Sequence, residues 1–523
     1  MTDQATPGGV SATSNGVDVL VVGGGNAGLC AATSAAEAGA RVLLVDKAGE
    51  DWAGGNTYFT AGAIRTTFDG LDDLRPLLDG LTDEQARLVD LPAYRPADFL
   101  ADLRRVTHGR ADPELADLLA GQTRPAVEWL AGHGVALELM FHRQAYRVGG
   151  RFRFWGGLAV GVVGGGKGLV AAETAAASSA GVEIRQGTAV ISLLPSPETG
   201  VAGVVVAGSA GRVEIPARSV VLCCGGFEAN PRMRAAYLGP GWDLAAVRGT
   251  PYNTGEGITM ALAAGAQAWG HWSGCHAVAW DAGAGPSGDR VLTNQLTRNS
   301  YPVGIMVNRR GERFVDEGAD FRNYTYARYG REILAQPGGV AYQVFDAKSV
   351  PLLRPEEYAS PGATKVEADT LAELAGRLGI DPDVLSATVT AYNAAVTHTE
   401  FDPSVKDGKH TEGVNPPKSN WALPVAVPPL VAYPVTCGIT FTFGGLRVDR
   451  EARVLDTAGR PVPGLYAAGE TVGGVFYHNY PGGSGLALGA VLGRVAGAGA
   501  ARFAAAGPRR SGRPGGAGPG THP

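Results

Sequence analysis

The sequence predicts an α/β fold, a doubly wound Rossmann-like parallel sheet interrupted by an inserted α+β block. Three observations carry that expectation. An apolar run over residues 17–22 stops at a glycine cluster, and small apolar residues follow through Ala40, which reads as strand, tight turn and helix. A second apolar run, 41–45, ends in Asp46. Far down the chain, after a long block of different composition, strand-like sequence returns in Gly464-Leu-Tyr-Ala-Ala-Gly-Glu470.

Gly23, Gly25 and Gly28 fit G-x-G-x-x-G. The first allows the turn, the second lets a pyrophosphate approach the backbone, and the third lets helix and strand pack closely. The free N–H groups at the helix N-terminus then face the phosphates. Asp46 stands about 20 residues on, where a ribose-binding acid is expected. With 78 glycines in 523 residues, the match alone says little. The strand before it, the helix after it and the acid at the next strand's end make it a dinucleotide-binding unit, with FAD and NAD both open at this point.

The loop over 52–65, with Gly54-Gly-Asn-Thr57, suits a close approach to a ligand. Residues 71–140 show leucines at helical spacing. Arg143, Arg147, Arg151 and Arg153 follow among aromatics, a stretch that reads as a solvated face or as one wall of an anion pocket. Gly164-Gly-Gly-Lys-Gly168 has no Walker frame. Residues 182–222 alternate like a strand meander that runs into Gly225-Gly226, and a helix is expected after Arg248-Gly-Thr-Pro-Tyr-Asn-Thr-Gly-Glu-Gly257. Composition then changes over 272–435, with helical spacing over 370–396. The expected domains are 17–270 with 440–506, interrupted by a capping domain over 271–439. Residues 1–16 and 507–523 read as a disordered leader and tail. A Gly-rich loop, 478–485, and a helix of small residues close the second half.

Net charge is −5 and the isoelectric point about 6.0, so nothing points to nucleic acid. No unbroken run of 18 apolar residues marks a membrane span, and the first basic residue is Arg41, so the start lacks a secretory n-region. The five cysteines form no C-x-x-C pair, which argues against an iron–sulfur cluster, structural zinc or a disulfide framework. No metal site is expected, and the expected location is cytoplasmic.

Gly464–Glu470 resembles the second FAD motif of two-dinucleotide-binding flavoproteins. With Gly23–Gly28, Gly54–Thr57, Cys224-Gly-Gly-Phe-Glu-Ala-Asn230 and Val307-Asn-Arg-Arg-Gly-Glu-Arg-Phe-Val-Asp-Glu317, the chain resembles the fumarate reductase/succinate dehydrogenase flavoprotein family over roughly residues 17–503. Trp272-Ser-Gly-Cys-His276, Gly164-Gly-Gly-Lys167, Ile439-Thr-Phe-Thr-Phe-Gly-Gly-Leu446 and Val475-Phe-Tyr-His-Asn-Tyr-Pro-Gly-Gly-Ser-Gly485 look most like its tricarballylate dehydrogenases. The resemblance implies an FAD domain, a cap, an active site between them, a carboxylate substrate and electrons passed to an external acceptor or separate protein. The cofactor cradle it implies comprises Gly23, Gly25, Asn26, Ala27, Gly28, Asp46, Lys47, Gly54, Gly55, Asn56, Thr57, Gly225, Gly226, Asn253, Gly255, Gly469, Glu470, Ser484, Gly485 and Leu486.

By position in the motifs, Arg313 matches the arginine that moves a proton, with Glu317 beside it, and His276 matches a histidine that holds a substrate carboxylate. Fumarate reductases carry a histidine where this chain has Phe441 and an arginine where it has Tyr480, so a plain fumarate reductase or succinate dehydrogenase is not expected. No histidine lies between Gly54 and Arg65, near the family's covalent attachment, so the FAD is expected to be non-covalent. Alkane oxidation beside an acid needs a proton removed from one carbon and a hydride from its neighbour. The cofactor takes the hydride and the protein handles the proton. Arginine is a poor base, so the Tyr480 phenol is a rival to Arg313. His478 shares the loop of Tyr480 and completes the candidate catalytic set. The alternatives are a ring-ketone dehydrogenase of the ketosteroid type and a flavin-bearing electron-transfer subunit.

Overall fold

The computed structural model describes residues 16–196, 200–208 and 211–507. The expected leader and tail fall almost wholly outside them. In chain order the elements that build the site are β1 (Val17–Val22), α1 (Asn26–Glu37), β2 (Val42–Val45), β3 (Glu183–Arg185), β4 (Gly211–Leu222), β5 (Ala268–Asp281) and β6 (Ile305–Asn308). They continue with α2 (Tyr326–Leu334), β7 (Val340–Phe345), β8 (Leu430–Leu446), β9 (Pro461–Ala467) and α3 (Ser484–Ala506).

The first layer is a sheet in the order β9-β4-β1-β2-β3, parallel throughout, with Arg453–Leu455 added antiparallel at the β9 edge. Its central strands β1 and β2 and the end of β4 are runs of Val and Leu because both faces are covered there; Val19, Leu20 and Val21 are fully buried. β4 serves two sheets. Its first half pairs with Gly200–Gly208 in the expected meander, and its second half enters the parallel sheet beside β1. α1 ends at Glu37, short of the expected Ala40, where Gly39 takes φ 85° and stops the helix.

α1 and α3 pack backbone to backbone. A Cβ on Gly497 would lie 2.1 Å from the Ala31 carbonyl, and one on Gly493 would lie 2.5 Å from that of Ala27. α3 is long and apolar enough to cross a membrane by length and composition, and most of it is buried within the fold.

The second layer is a sheet centred on β8. Ala246–Val247 and β7 flank it, β6 follows β7, and β5 and Val366–Ala368 also pair with it. The expected helices of this layer are Leu371–Leu378 and Pro382–Ala395, whose Leu374, Leu385 and Val389 pack in a core with β6 and β7. β8 is one unbroken strand through the boundary expected at 439/440. The expected boundary thus falls inside one strand of the second layer, and the cleft is lined from both layers, by Val22 and Val45 of the first and by His276 and Phe441 of the second.

Candidate active site

One cleft of about 270 Å³ runs from the glycine motif to the cap. At its first end the N-termini of α1 and α3 converge, tied by Asn26, whose N–H donates to Thr57 Oγ1 (3.1 Å) and whose Nδ2 donates to the Leu486 carbonyl (2.8 Å). Two helix N-termini at one spot favour an anion such as a pyrophosphate. A Cβ on Gly28 would sit 1.8 Å from the Gly23 carbonyl, so Gly28 serves helix–strand packing as its place in the motif demands. Gly25 faces the cleft. Asp46 lines the wall and also braces the turn: Oδ2 accepts from Gly24 N (2.6 Å) and Oδ1 from Ala48 N (2.7 Å). Lys47 reaches Thr254 Oγ1 (2.5 Å) and Glu256 (2.9 Å).

Of the expected cradle, Gly23, Gly25, Asn26, Ala27, Asp46, Lys47, Gly55, Asn56, Thr57, Gly225, Asn253, Gly469, Glu470, Gly485 and Leu486 line this cleft. Gly28, Gly54, Gly226, Gly255 and Ser484 stand behind it. Gly54 packs on Val170, Gly226 on Glu470 and Thr442, and Gly255 on Met233, while Ser484 opens α3. In mid-cleft, Asn56 Nδ2 and Asn253 Nδ2 donate to Glu228 Oε1 (2.6 and 2.7 Å), and Thr442 N donates to Glu470 Oε1 (2.8 Å). Burial, and then the neighbouring Glu228 carboxylate, push the Glu470 carboxyl well up.

The far end is where β5, β8, α2 and the loop after β9 meet. His276 on β5 lies opposite Phe441 on β8 beside a register shift. It contacts Tyr326, Phe441 and Tyr480 with ring centroids 4.9, 5.2 and 4.8 Å away. Both its ring nitrogens are buried without a hydrogen-bond partner. Burial, then Arg248, holds its pKa well below the ordinary value, so the ring is neutral. The Tyr326 and Tyr480 hydroxyls form a short hydrogen bond. Burial raises both phenols, and Tyr326 raises Tyr480 further. Arg248 donates to Thr440 Oγ1 (3.2 Å) and Asn294 Oδ1, pairs with no carboxylate among the described residues, and leaves its Nε unpaired.

Two expected catalytic residues do not reach the cleft. Arg313 is locked in the cap: it donates to Glu317 (2.5 and 3.1 Å) and to the Pro416 carbonyl (2.7 Å) and lies 5.0 Å over Tyr392. The arginine that lines the cleft from this stretch is Arg322, nine residues on, in the turn Arg322–Tyr324. His478 stacks on His108 and meets His271 edge-on, each 4.8 Å away, and its backbone N–H donates to His271 Nδ1 (3.0 Å). It braces the loop that carries Tyr480. Of the four arginines over 143–153, only Arg143 lines the cleft; Arg151 donates to the carbonyls of Arg87 and Val89, and Arg153 pairs with Asp90 and Asp402.

Sequence reasoning missed Arg322, Tyr326, Arg354 and Asn299, which line the far end, and gave no role to Arg248. Among the described residues no group of His, Cys, Asp and Glu could hold a metal ion.

A family model described as FAD binding domain matches residues 18–486. The chain is 31% identical over 493 residues to a probable fumarate reductase, Ifc3, of Shewanella frigidimarina, covering 93% of this chain and 75% of that protein. It is 30% identical over 550 residues to a 3-oxosteroid 1-dehydrogenase of Mycobacterium tuberculosis, covering 89% and 94%. Among solved structures, the open conformation of a flavocytochrome c3 fumarate reductase superposes with a TM-score of 0.69 at 30% identity, over 93% of this chain and 78% of that one. The anion-binding helix ends, the acid at Asp46 and the polar mid-cleft fit an extended dinucleotide. The chain belongs to this FAD binding domain family together with the fumarate reductase flavoproteins, and it is an FAD-dependent oxidoreductase acting on CH–CH groups.

Proposed function

We propose that the protein adds or removes hydrogen across a carbon–carbon bond next to a carboxylate, on a polycarboxylate of the tricarballylate type. The observation that carries this reading is that Arg248, a buried cation with no carboxylate partner among the described residues, and His276, a neutral imidazole whose two nitrogens are unpartnered, both line the FAD cleft. A buried cation left unmatched is costly, and a substrate carboxylate supplies the match. FAD, when bound, exchanges the hydride.

The chain's own residues do the rest. Arg248 and His276 hold one carboxylate. The joined hydroxyls of Tyr326 and Tyr480 handle the proton as a unit, since each is within hydrogen-bond reach of the other and both line the cleft. Arg322 orients the substrate from the cap side. Electrons pass to an external acceptor or partner protein, as the dispersed cysteines offer no cluster for a relay. Non-covalent FAD is supported by the cleft lining, in which the one histidine among the described residues is His276, at the substrate end. A cytoplasmic location is part of the proposal, supported by five free, scattered cysteines that suit a reducing setting.

The tyrosine pair favours a second reading, a ring-ketone substrate, for which phenols are suitable hydrogen-bond donors. Four arginines at the same end weigh against an uncharged ring. A dye-linked assay over tricarballylate, succinate, butanoate and a 3-ketosteroid separates the two. Turnover of the ketosteroid without turnover of any carboxylate contradicts the proposal.

A further inference from the structure

We propose that Arg143, Arg322 and Arg354 form a second carboxylate pocket, separate from the Arg248–His276 pair, that makes the site specific for substrates with at least two carboxylates. This rests on the carboxylate reading of the same cleft. The three arginines come from three distant segments, the turn Phe141–Gln144, the turn Arg322–Tyr324 and the residue before Pro355–Tyr358. They converge through shared partners. Arg322 Nη2 and Arg354 Nη2 both donate to the Arg143 carbonyl, the latter at 2.9 Å. Arg143 Nη2 and Arg354 Nη1 both donate to Glu357 Oε1, at 2.8 and 3.0 Å. Glu357 Oε2 is taken by Asn299 N at 2.9 Å.

The charge does not close. Three guanidinium groups face Glu357, which is fully buried, and Glu356, whose side chain is 31% exposed and which takes only Arg143 (3.0 Å). One cation is left over in a buried place, and the groups left unpaired are recognition groups. The Nε–H donors of Arg322 and Arg354 are buried without a hydrogen-bond partner, and both residues line the cleft. Burial, then repulsion from Arg322, lowers Arg354 to about 10, even though Arg354 and Arg143 outweigh burial and hold Glu357 at about 2. Like charges held this close out of water are strained until an anion joins them. The excess is one charge here and one at Arg248, so the far end of the cleft neutralises two carboxylates. Arginine suits both positions because its planar fork matches a carboxylate.

The test is equilibrium binding of tricarballylate, succinate and butanoate to the FAD-loaded protein, read from perturbation of the flavin spectrum. Wild type should bind both polycarboxylates well ahead of butanoate. Arg354→Met should cost tricarballylate and succinate about 10- to 100-fold, the range for one lost charge-assisted contact, and leave butanoate unchanged; Arg354→Lys should recover part of the loss. Arg143→Met, read the same way, decides the matter if the Arg354 variant fails to hold FAD. Polycarboxylates that keep their full margin over butanoate in the variants overturn the pocket alone. Absence of any carboxylate binding to wild type overturns it together with the reading it rests on.

Discussion

Tyr480→Phe should leave the protein folded and yellow while nearly abolishing turnover. The Tyr480 ring packs against Phe441 (5.1 Å), Phe476 (5.4 Å) and His276 (4.8 Å), and phenylalanine keeps all of those contacts. What is lost is the hydroxyl and its short bond to Tyr326. A buried Tyr326 hydroxyl without its partner costs about 1–3 kcal/mol of stability, well within what a chain of this size tolerates. Proton transfer by a positioned side chain contributes about 100- to 10,000-fold, and the loss should fall on kcat. Tyr326→Phe should cost a similar amount. If the two hydroxyls act as one unit, the double variant should be little worse than either single one. The assay is anaerobic single-turnover flavin reduction or reoxidation by stopped flow, with dye-linked steady-state rates beside it. A near wild-type rate in Tyr480→Phe would refute the role given to the pair, as would strictly multiplicative losses in the double variant.

Acid precipitation of the purified protein should release all of the FAD into the supernatant; yellow colour staying with the pellet would mean a covalent link. Arg313→Lys should lower stability, because it gives up the fork on Glu317 and the bond to Pro416, with kcat held within a few-fold, whereas Arg322→Lys should lose about 100-fold or more of turnover through misplacement of the substrate; the reverse pattern would return the catalytic role to Arg313. The urea midpoint should fall as pH drops from about 6.5 towards 4. Burial, then His478 and Arg331, lowers His271 to about 4, so between these values the unfolded chain binds a proton that the folded chain does not, and stability declines. Protonation also removes the Nδ1 acceptor for His478 N–H. His271→Gln should flatten that slope, and an unchanged slope would show that other groups set it.

Much of the fold was legible because it rests on local patterns. The apolar run at β1, the glycines after it and Asp46 define one βαβ unit whose geometry leaves few options, and the leucine spacing over 370–396 marks two real helices. The unity of β8 was not legible, since composition changes along a strand that stays continuous in space. The cofactor end of the site was readable for the same reason as β1. The substrate end was not, because its arginines are recruited by tertiary packing. Arg354 and Arg143 lie more than 200 residues apart in sequence and meet only through a carbonyl and Glu357. Of the arginines over 143–153, only the one in the turn at Phe141–Gln144 faces inward, while the hairpin beyond it carries the others to the surface or to carbonyl partners. In Arg-Gly-Glu-Arg-Phe the motif points to Arg313, yet Glu317, four residues on, closes on it and fixes it as a brace for the cap. The chain then turns at Arg322 to present the neighbouring guanidinium, and nothing in the local spacing marks that difference.

The central claim is that this cleft exchanges hydrogen with a polycarboxylate. Its most direct measurement is an anaerobic titration of the FAD-loaded protein with tricarballylate, followed at the oxidised flavin band, and of the reduced protein with the corresponding alkene. The account predicts bleaching by the first or recovery of colour with the second, fast in wild type and slowed about 100-fold or more in Tyr480→Phe. Flavin that responds to neither, but is bleached by a 3-ketosteroid or only by a partner protein, would contradict it.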